Sequence, residues 1–181
     1  MATTQPVLVT DRLRLEPLHP AHAESIVALF ADPALSAYLQ ADFTQRDQAE
    51  ALVRRWLDHR GPAGLGHWAL HHDRYLIGVV HLVPSTDLPG GLPEMGWYLL
   101  PRYGQRGLAT EATRALLRYG LDERGLTSVW ALIHTGNRPS LRLARRLGFL
   151  QVGSAVHYGA RHHVHVALPG VTAPPGDLLL R

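Results

Sequence analysis

Residues 99–112, LLPRYGQRGLATEA, constrain the fold of this chain more than any other segment. An apolar strand passes through a loop with two glycines and enters a helix at once. Such a turn leaves a row of backbone N–H groups unpaired and aims them, with the positive end of the helix dipole, at one point. A phosphate is the anion that best fits there. Gly104 and Gly107 lack Cβ, so the chain can turn tightly and a phosphate can approach the backbone. The pattern Gly104-x-x-Gly107-x-Ala109 gains weight from two later blocks, Asn137-Arg138-Pro139-Ser140 and Leu147-Gly148-Phe149.

A chain of 181 residues is long enough for one domain with a sizeable core. No apolar run reaches membrane-span length, and no charged segment followed by an apolar one opens the chain, so a cytoplasmic protein with no membrane partner is expected. With no cysteine, disulfides, thiolate metal sites and a cysteine acyl-enzyme are excluded. All eighteen basic residues are arginine, which excludes a lysine Schiff base and a P-loop lysine. The net charge of +3 is unevenly spread: residues 1–95 sum to −4 and residues 96–181 to +7. A basic half that holds the phosphate-type loop suits an anionic ligand, and the acidic half a cationic substrate; solvated surface charge accounts for the same numbers.

Periodicity organises the rest. Residues 7–15 alternate as a half-buried strand, while 20–30 and 45–57 carry helical faces. Residues 68–70 and 76–83 form a hairpin across His72-Asp73-Arg74, a Pro/Gly-rich loop covers 84–93, and 95–100 is a strand. The helix after the glycine loop turns Leu108, Ala112, Ala115, Leu116 and Tyr119 to one side. A strand at 129–133 precedes a helix started by Pro139 and ended at Gly148. Residues 156–168 supply one or two last strands, and the Pro-rich tail 169–181 is loosely ordered. The order β-α-α-β-β-β-α-β-α-β-β predicts a single mixed α/β (α+β) domain over 7–168.

TDRLRLEPL near the N-terminus, PEMGWYLLPRYGQRGLATEA and NRPSLRLARRLGF, in consistent order and spacing over residues 7–168, together resemble the GCN5-related N-acetyltransferase (GNAT) superfamily, in its ribosomal-protein N-terminal acetyltransferase-like branch. The resemblance implies a mostly antiparallel sheet of six to seven strands flanked by about four helices. It implies acetyl transfer from acetyl-CoA to a primary amine by direct attack in a ternary complex, and no metal. The acceptor is a small-molecule amine or a protein N-terminus, and homodimers are common in the family. A CoA-binding sensor that has lost catalysis is the alternative. Nucleic-acid binding is not expected, because no aromatic-interleaved basic stripe accompanies the arginines.

Carried over from the family, main-chain amides among Gln105, Arg106, Gly107, Leu108, Ala109 and Thr110 bind the CoA pyrophosphate. Gly104 stands where the branch often has Trp. Arg102 and Arg106 either pair a phosphate or are solvated, and Arg142, Arg145 and Arg146 either reach the 3′-phosphate or form an ordinary helix face. Asn137 contacts the pantetheine arm, or is an Asx-turn residue ahead of Pro139. The family's usual general-acid tyrosine, seven residues after that asparagine, is Ala144 here. Ser140 stands where a related branch places a serine near the thiolate; its other role is helix-start hydrogen bonding.

A base must take the proton of the attacking amine. Glu94 is the leading candidate, a carboxylate whose pKa burial would raise, and His134 the second. His162, His163 and His165 invite a metal reading, but strand alternation sets His162 opposite the other two. Trp97 and Tyr98 are candidates to line the acceptor pocket.

Overall fold

The computed structural model describes residues 5–59, 61–62 and 64–171. Its strands are β1 (Leu8–Val9), β2 (Leu13–Pro17), β3 (Gly66–His72), β4 (Tyr75–Pro84), β5 (Pro93–Leu99), β6 (Val129–His134), β7 (Leu150–His157) and β8 (Ala160–Ala167). The helices are α1 (Ala23–Phe30), α2 (Pro33–Ser36), α3 (Arg46–Leu57), α4 (Leu108–Arg118) and α5 (Arg138–Arg146). The strands form one mixed, mostly antiparallel sheet in the order β1-β2-β3-β4-β5-β6-β8-β7.

Eight strands and five helices exceed the expected six to seven and four, and each addition has a local cause. The alternating residues 7–15 are not one strand. The Thr10 N–H donates to the Leu13 carbonyl at 2.9 Å, closing a tight turn that sets Leu8 opposite Leu15. The added helix is the single turn α2, capped by Asp32, whose carboxylate accepts from the Ala34 N–H at 2.9 Å. Asp32-Pro33 therefore ends α1 and begins α2. Strand β7 begins six residues before position 156, because an edge strand with a register shift between Gln151 and Gly153 shows little alternation. Of the tail expected at 169–181, residues 172–181 lie outside the described residues.

Two apolar cores hold the sheet between layers of helices. One packs Leu108, Ala112 and Leu116 of α4 and Leu143 and Ala144 of α5 against Leu15, Trp68, Leu82, Met95 and Ala131. The other joins Ile26, Val27 and Phe30 of α1 with Ala49, Leu52 and Val53 of α3 and with Val79 on β4. In the second, Phe30 meets Phe43, Trp56 and Tyr98 edge-on, with centroids 5.7–5.8 Å apart. Between them the two cores bury both sides of the central strands.

One junction decides where a ligand can go. β5 and β6 are the sheet's parallel neighbours, and they pair at a single position, Glu94 opposite Trp130. Beyond that rung the two strands part, and a cavity of about 120 Å³ opens between them.

Candidate active site

The glycine loop that follows β5 lies outside the lining of this opening and offers mainly backbone. Residues 101–103 form a 3-10 turn, and Gly104 then runs in extended conformation with φ −64°. Its glycine is required by crowding, since a Cβ there would meet the Pro101 carbonyl oxygen at 2.9 Å. The left-handed turns belong to Gln105, φ +60°, and to Gly107, φ +77°, the residue that precedes α4. No side chain caps α4. The N–H groups of Leu108, Ala109 and Thr110 thus have no intrahelical acceptor and point out of the helix end with its dipole. Arg102 and Arg106 are exposed beside them, both leaning on the Tyr103 ring. The arrangement fits a pyrophosphate: uncapped donors, a glycine at the closest approach, and two nearby guanidinium groups.

Arg12 braces this loop from outside. Its guanidinium donates to the Arg106 carbonyl at 2.8 Å and to the Glu111 carboxylate at 2.7 Å, while Thr10 donates to the same carboxylate at 2.6 Å. The TDRLRL segment thereby fixes the first turn of α4.

Asn137 and Ser140 meet where α5 begins. Asn137 caps the helix, its Oδ1 accepting from the Ser140 N–H at 3.2 Å, so its Asx-type role is present. Asn137 also lines the cavity. Ser140 uses only its backbone N–H in the cap. Its hydroxyl oxygen accepts from the Trp97 indole at 3.1 Å, across from α5 to β5. Ala144 is fully buried in the core beside α4, and it is absent from the cavity wall.

The acceptor side is made of side chains. Glu94, 7% exposed, stands at the rung where β5 and β6 separate. Its Oε2 accepts from the Ser85 hydroxyl at 2.5 Å and from the Tyr158 hydroxyl at 2.7 Å. Burial raises the Glu94 pKa above the ordinary carboxylate value, a shift that the Ser85 and Tyr158 hydrogen bonds partly oppose and that the nearby Asp87 charge reinforces. Tyr158 and Ser85 carry no motif, and no signal in the sequence singled them out. The walls are Tyr38, His81, Trp97, Tyr98, His134 and His162, and Glu94 is the single carboxylate among the lining residues. Apart from Glu94 and the neighbouring Asp87, the acidic residues of the N-terminal half do not converge here. Glu24 and Glu50, for example, are spent on Arg46 at the surface.

His134 lies tilted against Tyr38 with ring centroids 5.4 Å apart, and its Nδ1 accepts from the Gly136 N–H at 3.0 Å. A neutral ring with Nδ1 so engaged carries its proton on Nε2. His162 points into the cavity against His134, whereas His163 faces away, its Nδ1 bonded to Ser154 and Gln151. Among the described residues, one group has metal-ligand separations: Glu16, His22 and His71. None of the three lines the cavity. Arg14 already occupies the Glu16 carboxylate at 2.6 Å, and His22 Nδ1 accepts from the His19 N–H, which leaves the proton on the nitrogen facing Glu16.

A sheet split at one parallel rung beside a buried carboxylate, with an uncapped helix end just after β5, is the arrangement expected of an acetyl-CoA-dependent N-acetyltransferase. Comparison agrees, since residues 12–150 match the acetyltransferase (GNAT) domain, and the chain belongs to that family. YnaD of Bacillus subtilis, named an uncharacterized N-acetyltransferase, is 37% identical over 147 residues, 81% of this chain and 84% of YnaD. A solved structure from Bordetella pertussis, assigned to the GNAT family, is 30% identical with a TM-score of 0.72, covering 90% of this chain and 99% of that one. RimL, a ribosomal L7/L12 N-terminal acetyltransferase solved with coenzyme A, shares the fold at 15% identity and a TM-score of 0.73, covering 90% and 98%. No helix among the described residues is long and apolar enough to cross a membrane.

Proposed function

We propose that this enzyme moves the acetyl group of acetyl-CoA directly onto one primary amine held in the opening between β5 and β6, with Glu94 as the base. The observation that carries the reading is the position of Glu94, a buried carboxylate at the floor of the cavity. In this reading the N–H groups of residues 105–110, at the uncapped end of α4, hold the CoA pyrophosphate. An amine reaches the cavity as ammonium and has no lone pair until it loses a proton. Glu94, with its raised pKa, accepts that proton, directly or through one water. The freed nitrogen attacks the thioester carbonyl and the C–N bond forms; the C–S bond breaks with its electron pair left on sulfur, and the second proton that the nitrogen sheds on becoming an amide neutralises that thiolate, so CoA leaves as the thiol. The Ser140 hydroxyl, its oxygen held by Trp97, donates a hydrogen bond to that developing thiolate. In this reading His134, its Nδ1 already engaged, serves as wall and hydrogen-bond donor.

A single carboxylate among aromatic and imidazole walls favours an acceptor with one amino group on a small head. The N-terminal residue of a protein and a small monoamine both answer that description. Polyamines and aminoglycosides bring several ammonium groups and would find one counter-charge. The alternative of a CoA-binding sensor draws on Ala144, which offers no acid at the usual place. Release of free CoA thiol with a panel of amines and peptides decides between them. Turnover on any amine supports the enzyme, and tight acetyl-CoA binding with no turnover on the whole panel supports the sensor.

A further inference from the structure

The tip of the β7–β8 hairpin reaches the cavity through Tyr158. His157 pairs with Ala160, so the connection is the two residues Tyr158 and Gly159. Both are left-handed, φ +48° and +73°, which is the turn that Asn-Gly or Asp-Gly forms most readily. A tyrosine in the first position is a poor choice for the turn alone. What it gains is reach. Its hydroxyl donates to Glu94 Oε2 at 2.7 Å, and its ring lies edge-on to His162 in the cavity wall. Asp87, on the loop between β4 and β5, holds the tip in place. One carboxylate oxygen accepts from His157 Nδ1 at 2.6 Å and from the Tyr158 N–H at 3.3 Å. A hairpin from one side of the opening is thus tied to a loop from the other, directly over the base.

We propose that Tyr158 is a positioning residue of the acceptor site: fixed by Asp87, it orients the Glu94 carboxylate toward the cavity and keeps it ready to accept a proton. The inference rests on the reading of Glu94 as base. Burial and the neighbouring Glu94 charge push the Tyr158 phenol up, so it stays protonated and donates. Ser85, Asp87, His157 and Tyr98 are the other polar or titratable groups around the carboxylate, with His81, His134 and His162 sharing the cavity. Tyr158→Phe removes one hydrogen bond and leaves the ring and the other groups in place.

The test needs no knowledge of the acceptor. In protein labelled with 13C at the glutamate carboxyls, the Glu94 signal is assigned by its loss in Glu94→Gln and titrated in wild type and variants. Tyr158→Phe is expected to move the Glu94 titration to higher pH, because a hydrogen bond that favours the charged form is gone. Tyr158→Asn should move it the same way while the melting temperature holds or rises, since asparagine suits the turn. A purely structural tyrosine would instead show a lower melting temperature in Tyr158→Asn and an unmoved Glu94 titration in both variants, and that result overturns the proposal. The base reading is decided separately: if Glu94→Gln turns over amines as fast as wild type, it fails whatever Tyr158 does.

Discussion

The donor and acceptor sides of the site are built on different principles. The proposed donor loop, which lies beside the cavity rather than in its wall, would hold its ligand with main-chain N–H groups at the uncapped end of α4, within six consecutive residues. The acceptor side draws Tyr38, His81, Glu94, His134, Tyr158 and His162 from five separate stretches of chain. Backbone donors depend on conformation and on the absence of a few Cβ atoms, so most side chains in the loop are interchangeable. A side-chain site depends on each residue and on every element that places it. One fold can therefore keep a constant donor and change its acceptor.

The sharpest way to break this contrast is Gly107→Asp. It puts a Cβ at φ +77° and a carboxylate among the anion-binding donors. Acetyl-CoA affinity should fall by at least about a thousandfold, roughly 4 kcal/mol, measured by calorimetry. Binding within tenfold of wild type would mean that the phosphate is held elsewhere. Glu94→Gln strikes the opposite side: kcat should drop about a hundredfold with acetyl-CoA affinity unchanged. In wild type the rate should rise with pH through a value above the ordinary carboxylate range. The matching stability effect has the reverse sense. Between the ordinary value and the raised one the folded state binds more protons than the unfolded chain, so Glu94 lowers stability as pH climbs through that window. Glu94→Gln should remove this slope, and an unchanged slope in denaturant titrations would contradict the burial argument.

A third test uses the histidines beneath the acceptor side. Burial first, and neighbouring imidazoles second, hold His67 down at about 2 and His81 at about 4. Below pH 6.5 the unfolded chain takes up protons that these folded histidines refuse. Stability should therefore fall as pH drops from about 6.5 toward 4, approaching about 1.4 kcal/mol per pH unit for each histidine. His67→Phe, which keeps the ring stacked on Trp56 at 4.8 Å in the wild type, should shrink the loss between pH 7 and pH 5. An equal loss in the variant counts against the assignment. The smallest effects separate Ser140 from Asn137. Ser140→Ala should lower kcat about fivefold with little change in melting temperature, because its hydroxyl takes no part in the cap. Asn137→Ala should cost about 1 kcal/mol of stability. If Ser140→Ala destabilises as much as Asn137→Ala, the hydroxyl is structural.

The same contrast explains what the sequence disclosed. The α4 loop was legible because glycines and an abrupt helix start are local signals, although the left-handed residues proved to be Gln105 and Gly107, and Gly104 owes its place to crowding. Glu94 was legible from its position before that loop. Its partners were not: Ser85 lies nine residues away and Tyr158 sixty-four, joined only by the order of strands. Helix spans agreed to within a few residues, since the apolar faces of α3, α4 and α5 are strongly periodic. The separate β1 and the early start of β7 escaped for the opposite reason. Two-residue pairing and a bulged, exposed edge leave almost no period to read.

The single rung at Glu94 and Trp130 also makes the sheet two slabs joined at a hinge line. N–H groups of β5 and β6 that face each other beyond the rung lack a ladder partner while lying near the middle of an eight-stranded sheet. Deuterium should reach them faster than it reaches the amides of β3 and β4 beside them. A crack that lets water in at the centre of a sheet is weak under shear, and any ligand that spans it acts as a rivet.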